Sequence, residues 1–271
     1  MKSQRLKYSQ MTLGRVISGI KVRLREIPHT ISWNIDELAA ENRKCLLQYK
    51  ELHSGKRCFI VANGPSLLKT DLDLLANEFT FGLNRIYLNF DKSSFRPSYY
   101  VAVNELILEQ FSREISELEM PKFLNWNRHS NYTFSCANTL FVKSKLVIND
   151  FFQQDITQPL VVGASVTFVA LQIAFYMGFN QVILVGLDHN YQEKGTPNKT
   201  EVRKDEKDHS HFNDQYFPKG VKWQLPDLLR SEQDFFLARK AFEQTGGKVL
   251  DATIGGKCQV FTKVNYLDLF D

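Results

Sequence analysis

Two rhythms divide the chain. Over residues 13 to 24 the apolar positions Leu13, Val16, Ile17, Ile20 and Leu24 recur at helical spacing, with Arg15 and Arg25 roughly opposite. That pattern predicts an amphipathic helix, weakened by Gly14 and Gly19. A loop is expected at Pro28, then a second helix from about Ile35 to Leu52 that ends near Gly55. From Lys56 onward short apolar runs alternate with helical periodicity. Strands are expected at 58–62, 79–83, 99–103, 122–125, 139–142, 160–162, 181–187 and 248–250. Helices are expected at 71–76, 105–117, 165–177 and 227–245.

Apolar strands alternating with helices predict an α/β fold: a Rossmann-like, mostly parallel sheet with helices on both faces, preceded by an N-terminal helical segment. The expected division is a basic helical segment over residues 1–55 and a nucleotide-sugar-binding domain over residues 56–271. Gln192 to Lys207 reads as a polar, lid-like insertion. No charge occurs between Asp155 and Asp188, but Pro159, Gly163, Gly178 and Asn180 interrupt that stretch. A membrane-spanning helix needs about 20 predominantly apolar residues, so a buried βαβ unit is the better reading.

Composition narrows the picture without naming a chemistry. The 271 residues are 43% apolar and 24% charged, as in an ordinary globular protein. The net charge is +4, yet residues 1–25 hold seven basic and no acidic side chains, leaving −3 for the remainder. A mildly acidic body argues against nucleic acid. The basic amphipathic helix suits an anionic membrane surface, a partner helix or its own domain. Cys45, Cys58, Cys136 and Cys258 are widely spaced and read as reduced core residues of a cytoplasmic protein, peripheral on the inner membrane face if the helix binds lipid. No signal-peptide pattern opens the chain.

Candidate chemistry gathers at strand ends, where α/β sheets bind ligands. Asn63-Gly64-Pro65-Ser66 follows the strand at Cys58; Gly64 admits a ligand close to backbone, and Ser66 can cap a helix or bond a phosphate oxygen. This is neither a Walker A loop nor a dinucleotide fingerprint. Asn84 and Asn104 end the next two strands, and such amides suit a ribose, a base edge or a sugar. Gly163-Ala164-Ser165 forms a strand-to-helix turn whose N–H groups could hold a phosphate. The fourth strand end reads Gly186-Leu187-Asp188-His189-Asn190-Tyr191, and beyond the insertion comes Asp208-His209-Ser210-His211-Phe212. A histidine here could act as general base with a carboxylate such as Asp188 orienting it. Metal binding by these Asp and His residues is the competing reading, without a zinc-type spacing to support it.

The opening Asn63-Gly64-Pro65-Ser66-Leu67, the run from Gly178 to Asp188 and the later Ser210-His211-Phe212 together resemble the 6-hydroxymethylpterin diphosphokinase MptE-like domain. The chain is also similar to bacterial sialyltransferases of glycosyltransferase family 42. The resemblance covers roughly residues 56–262. It implies that Asn63, Asn84 and Asn104 contact a CMP-sugar donor, with Tyr191 on its phosphate and Thr253 in a nucleotide-contacting turn. Gln215 stands where those sialyltransferases carry their catalytic His, so the base is His211 or His209, or is missing. Their arginine before the strand-to-helix turn is also missing near Gly163, which leaves room for an activated sugar other than sialic acid.

The first expectation is therefore a glycosyltransferase without a cofactor or metal, moving a nucleotide-activated, CMP-linked sugar to a cell-surface glycan or lipid-linked acceptor. One alternative is a diphosphokinase that uses ATP and Mg²⁺ on a pterin-type alcohol. The other is a nucleotide- or sugar-binding protein without catalysis. A homo-oligomer is compatible with either.

Overall fold

The computed structural model describes residues 13–193 and 195–270. Helices α1 (Leu13–Ile35) and α2 (Glu37–Leu47) come first, followed by β1 (Arg57–Val61), β2 (Phe79–Leu83) and β3 (Tyr99–Ala102). Two short helices, α3 (Glu105–Gln110) and α4 (Ser112–Ser116), precede β4 (Lys122–Asn125) and β5 (Thr139–Val142). Then come α5 (Val166–Tyr176), β6 (Gln181–Val185), β7 (Thr200–Val202) and β8 (Lys222–Gln224). Helix α6 (Leu228–Gln244), β9 (Lys248–Asp251) and β10 (Thr262–Lys263) complete the chain.

Eight strands form one sheet in the order β10-β9-β6-β1-β2-β3-β4-β5, and every neighbouring pair is parallel. A parallel strand is covered on both faces, which is why Cys58 to Val61, Val182 to Val185 and Val101 to Ala102 are uninterrupted apolar runs with no exposure. Helix α5 is apolar on all sides because it lies against β1, β2 and β3 and is itself covered by α6. The order of strands reverses between β1 and β6: the chain runs outward from β1 through β5, then returns to the other side of β1. Ligands of open α/β sheets bind at the carboxyl ends of the strands flanking such a reversal.

Several expectations are corrected. Pro28 lies inside α1, so the expected loop is helix. Helix α2 stops at Leu47, five residues short of the expected end. The helix expected over 105–117 breaks at Phe111 into α3 and α4. Residues 160–162 form a single parallel bridge, Leu160 to Ser144, because the chain passes the sheet edge without continuing along it. The polar insertion contributes β7, paired antiparallel with β8 outside the main sheet.

The cysteine reading is corrected as well. Cys45 of α2 and Cys136 are joined by a disulfide with their Cα atoms 5.4 Å apart, while Cys58 and Cys258 are buried free thiols. A separation of 91 residues gives no sequence signal of that pairing. The N-terminal helices are built into the core of the sheet. Asn42 is buried, and its side chain donates to the Phe141 carbonyl and accepts from the Phe141 N–H, both at 2.8 Å. Trp33 packs edge-on against Trp126, and Glu26 meets the buried Lys143 Nζ at 2.9 Å. Among the described residues no helix is long and apolar enough to cross a membrane.

Candidate active site

A cavity opens at the reversal between β1 and β6. It is small and partly open to solvent, with about 100 Å³ of free space inside its walls. Its walls come from the loop after β1, the loop after β2, the N-terminus of α5, the loop after β6, the segment 210–216 and the start of α6.

The loops after β1 and β6 are locked together. Gly64 N–H donates to the Gly186 carbonyl at 2.9 Å, and Ser66 donates to Asp188 twice, N–H to Oδ1 at 3.1 Å and Oγ–H to Oδ2 at 2.6 Å. Glycine is required at 64 by space, since a Cβ there would lie 1.9 Å from Asp188 Oδ2. Burial pushes the Asp188 carboxyl up, and the two Ser66 hydrogen bonds oppose that shift. Gly186 has φ of +73°, and the next N–H, of Leu187, donates to Thr253 Oγ1 at 3.0 Å. Thr253 thus supports the loop from behind.

Two amides line the cavity with acceptors unused. Asn63 donates through Nδ2 to the Leu83 carbonyl at 2.9 Å, which fixes its orientation and leaves Oδ1 buried without a partner. Asn84, at a positive φ of 46°, likewise holds a buried, unpartnered Oδ1. A buried polar atom without a partner costs roughly 1–3 kcal/mol, so these oxygens call for N–H or O–H donors from a ligand.

A tight turn organises His211. Asp208 is buried, accepts the Ser210 N–H through Oδ1 at 2.9 Å and accepts His211 Nδ1–H through Oδ2 at 2.9 Å. His211 lies flat on Tyr216, ring centroids 3.9 Å apart, and its Nε2 makes no hydrogen bond to the described residues. Burial pushes the Asp208 carboxyl up, but His211, the Ser210 N–H and Arg203 outweigh it, so Asp208 titrates below the ordinary range and stays ionised. Arg85 holds the underside, donating to the Gln215 carbonyl at 3.0 Å and to the Tyr216 carbonyl, with its guanidinium over Phe111. Phe212 N–H donates to the Asn63 carbonyl at 3.0 Å, tying the His211 turn to the loop after β1.

Tyr191 sits edge-on to His211 at 5.9 Å. Burial, then the charges of Asp208 and Asp188, push its phenol up to about 12, so it is a proton donor at neutral pH. A second imidazole, His189, also lines the cavity, with Nε2 3.2 Å from Glu232 Oε1; burial lowers its pKa against the pull of Glu232.

The structure therefore brings Asn63, Gly64, Asn84, Ser165, Asp188, Tyr191 and His211 to one cavity. Ser66, Gly163 and Thr253 stand directly behind lining residues, and Pro65 opens the 3₁₀ turn that follows Gly64. Asn104 is elsewhere: it caps α3 and donates to Gln224 Oε1 at 3.0 Å. His209 is exposed on the surface, as is Gln215. The carboxylate bonded to His211 is Asp208 and not Asp188, whose oxygens serve Ser66. Sequence reasoning also missed Arg85, Tyr216 and the His189–Glu232 pair. The i, i+3 spacing of Asp208 and His211 was the available signal for the orienting carboxylate.

Among the described residues no three His, Cys, Asp or Glu side chains converge to hold a metal. The carboxylates nearest the cavity do not fit a Mg²⁺ site of the kind ATP chemistry needs. Asp188 is engaged by Ser66 through both oxygens and Asp208 by Ser210 and His211.

Fold and site together define a Rossmann-like α/β protein with a polar small-molecule site at the strand-order reversal. The family model described as 6-hydroxymethylpterin diphosphokinase MptE-like matches residues 34–194, more than half of the sequence, and the chain belongs to that MptE-like family. The matched span takes in α2, which the sequence resemblance had left out, and stops before Asp208 and His211. Among solved structures, the MAf glycosyltransferase from Magnetospirillum magneticum AMB-1 superposes with a TM-score of 0.50 at 12% identity, over 83% of this chain and 38% of that one. At that identity the likeness is one of fold, and this chain spans well under half of the other's length. No curated protein matches the sequence.

Proposed function

We propose that this protein is a metal-independent glycosyltransferase that moves a sugar from a nucleotide-activated, CMP-linked donor to a hydroxyl of a glycan or lipid-linked acceptor. The observation that carries the reading is the oriented base: Asp208 fixes the His211 tautomer, and Nε2 is left free in a cavity whose amide acceptors lack partners. In the reaction the acceptor O–H gives its proton to His211 Nε2 as its oxygen bonds the anomeric carbon. The bond from that carbon to the nucleotide phosphate breaks, and the nucleoside monophosphate leaves. Asp208 stabilises the imidazolium that results. In this reading Tyr191 O–H and an N–H at the start of α5 meet the leaving phosphate, and one phosphate needs fewer countercharges than a diphosphate.

The family's own description favours a second reading, pyrophosphoryl transfer from ATP, but that chemistry depends on Mg²⁺ and the carboxylates here are engaged elsewhere. Calorimetric titration with CMP, CDP, UDP and ATP, each with Mg²⁺ and with EDTA, separates the two. Binding of CMP that EDTA leaves unchanged is expected; binding of ATP alone, and only with Mg²⁺, would replace the first reading by the second.

A further inference from the structure

Helix α1 has two sides with different partners. Glu26, His29, Ser32 and Trp33 face the domain: Trp33 is 3% exposed, Ser32 Oγ accepts from Trp126 Nε1 at 2.9 Å, and Glu26 meets Lys143. At about 100° per residue, the opposite side is defined by Leu24, Ile27, Ile31 and Ile35. These four are 58%, 49%, 51% and 72% exposed, and nothing in the described chain covers them. Their spacing of three, four and four residues sets all four on one apolar stripe along the second half of the helix. Single exposed leucines are ordinary, but a continuous stripe on a firmly docked helix is not.

We infer that this face of α1 lies in the interface of an anionic lipid bilayer and holds the cavity close to the membrane surface. Charge selects that occupant. Lys2, Arg5, Lys7, Arg15, Lys21, Arg23 and Arg25 precede the first acidic residue, Glu26. Basic residues near an anionic leaflet contribute roughly 1 kcal/mol each, while the branched aliphatics enter the boundary between headgroups and acyl chains. A second copy of the helix fits less well. Parallel pairing of α1 would set its four basic residues against four, and Pro28 has no N–H to give the Leu24 carbonyl, leaving an unbonded acceptor at the stripe. A dry seam between helices would bury that carbonyl, whereas the headgroup region supplies water to it. The inference does not rest on the proposed reaction.

The test is flotation of the full-length chain with phosphatidylcholine vesicles, alone or with 30 mol% phosphatidylglycerol. Expected is binding to the anionic vesicles at least tenfold above the neutral ones, reduced at least fivefold by 0.5 M NaCl. The exposed double variant Ile27→Asp/Ile31→Asp should lose binding while keeping the near-UV circular dichroism of the parent. Absent binding, binding indifferent to lipid charge, or binding retained by the double variant each overturns the inference. So does light scattering that shows a dimer in the parent and a monomer in Ile27→Asp/Ile31→Asp, which would make the stripe a contact between copies. A charge-reversal variant, Arg15→Glu/Lys21→Glu/Arg25→Glu, should also release the protein from the vesicles.

Discussion

Asp208 Oδ2 accepts a hydrogen bond from His211 Nδ1 at 2.9 Å, and both residues belong to one turn that the buried Arg85 clamps from below. The pair determines which imidazole nitrogen is free. If His211 is the base, Asp208→Asn should lower the rate of sugar transfer, or of donor hydrolysis, by roughly a hundredfold or more. Donor affinity should stay within about threefold. His211→Ala should do the same. Equal hydrolysis by His211→Ala and the parent would show that another group, with His189 the nearest choice, does the work.

Gly64 and Asp188 allow a separate prediction about how the site is held. The modest Gly64→Ala change puts a methyl group onto Asp188 Oδ2 and near the Gly186 carbonyl, so the loops after β1 and β6 must part. Overpacking of this kind costs roughly 1–3 kcal/mol, and here it also disturbs the buried Ser66–Asp188 hydrogen bonds. A denaturant midpoint should fall accordingly, and nucleotide binding should weaken more than tenfold. The Ser66→Ala variant, which removes one donor and adds no volume, should be milder in both measurements. Identical behaviour of Gly64→Ala and the parent would mean that the two loops are free to separate.

What the residues reveal in advance follows from how local the physics is. The strands at Cys58, Phe79 and Gln181 and the helices at Val166 and Leu228 were legible because covered parallel strands and a covered helix must be apolar without interruption. Asn63 and Asp188 were legible as residues of the cavity because strand ends at a sheet's carboxyl edge carry polar groups only for a reason. Pro28 misled because a proline suits the middle of a helix poorly, yet here its neighbours Glu26, Ser32 and Trp33 dock on the domain and hold both halves in line. Asn104 misled for the opposite reason: capping α3 is a complete local explanation of it. The Asp208–His211 pair lies in a loop whose conformation depends on Arg85, some 120 residues earlier in the chain. No periodicity records such a contact.

The link between Cys45 and Cys136 closes a loop of 91 residues and fastens α2 beside β5. By the chain-entropy estimate such a closure stabilises by roughly 4–5 kcal/mol, with measured values more often about 2–4. Thiol titration of the denatured, unreduced protein should therefore find two reactive cysteines, Cys58 and Cys258, and four after reduction. Reduction, or the Cys45→Ala/Cys136→Ala double change, should lower the melting temperature by several degrees. Four thiols without reductant would mean that α2 is held by Asn42 and its apolar face alone.

Asp234 supplies the pH dependence. Its side chain has no exposure; Oδ2 accepts the Ala164 N–H at 2.8 Å, and Oδ1 has no partner. Burial first, then the neighbouring Asp150, push its carboxyl up to about 7, against the pull of Ala164 N–H and Arg230. Arg230 itself is held by Asp150 through two hydrogen bonds, at 2.7 and 2.8 Å. A carboxyl whose folded pKa is raised favours the protonated form in the folded state. Its contribution is thus fully present below the unfolded value near 4 and is lost as pH rises through about 7. The loss is roughly 2–4 kcal/mol. Asp208 and Glu193, whose pKa values are lowered, act in the other direction and only on the acid side. Urea midpoints between pH 5 and pH 8 should fall for the parent and change much less for Asp234→Asn, whose amide oxygen can still accept from Ala164. Because Ala164 and Ser165 line the cavity beside Asp234, ligand affinity should follow the same pH trend in the parent and lose it in the variant. Parallel pH curves for the two proteins would remove Asp234 as the cause.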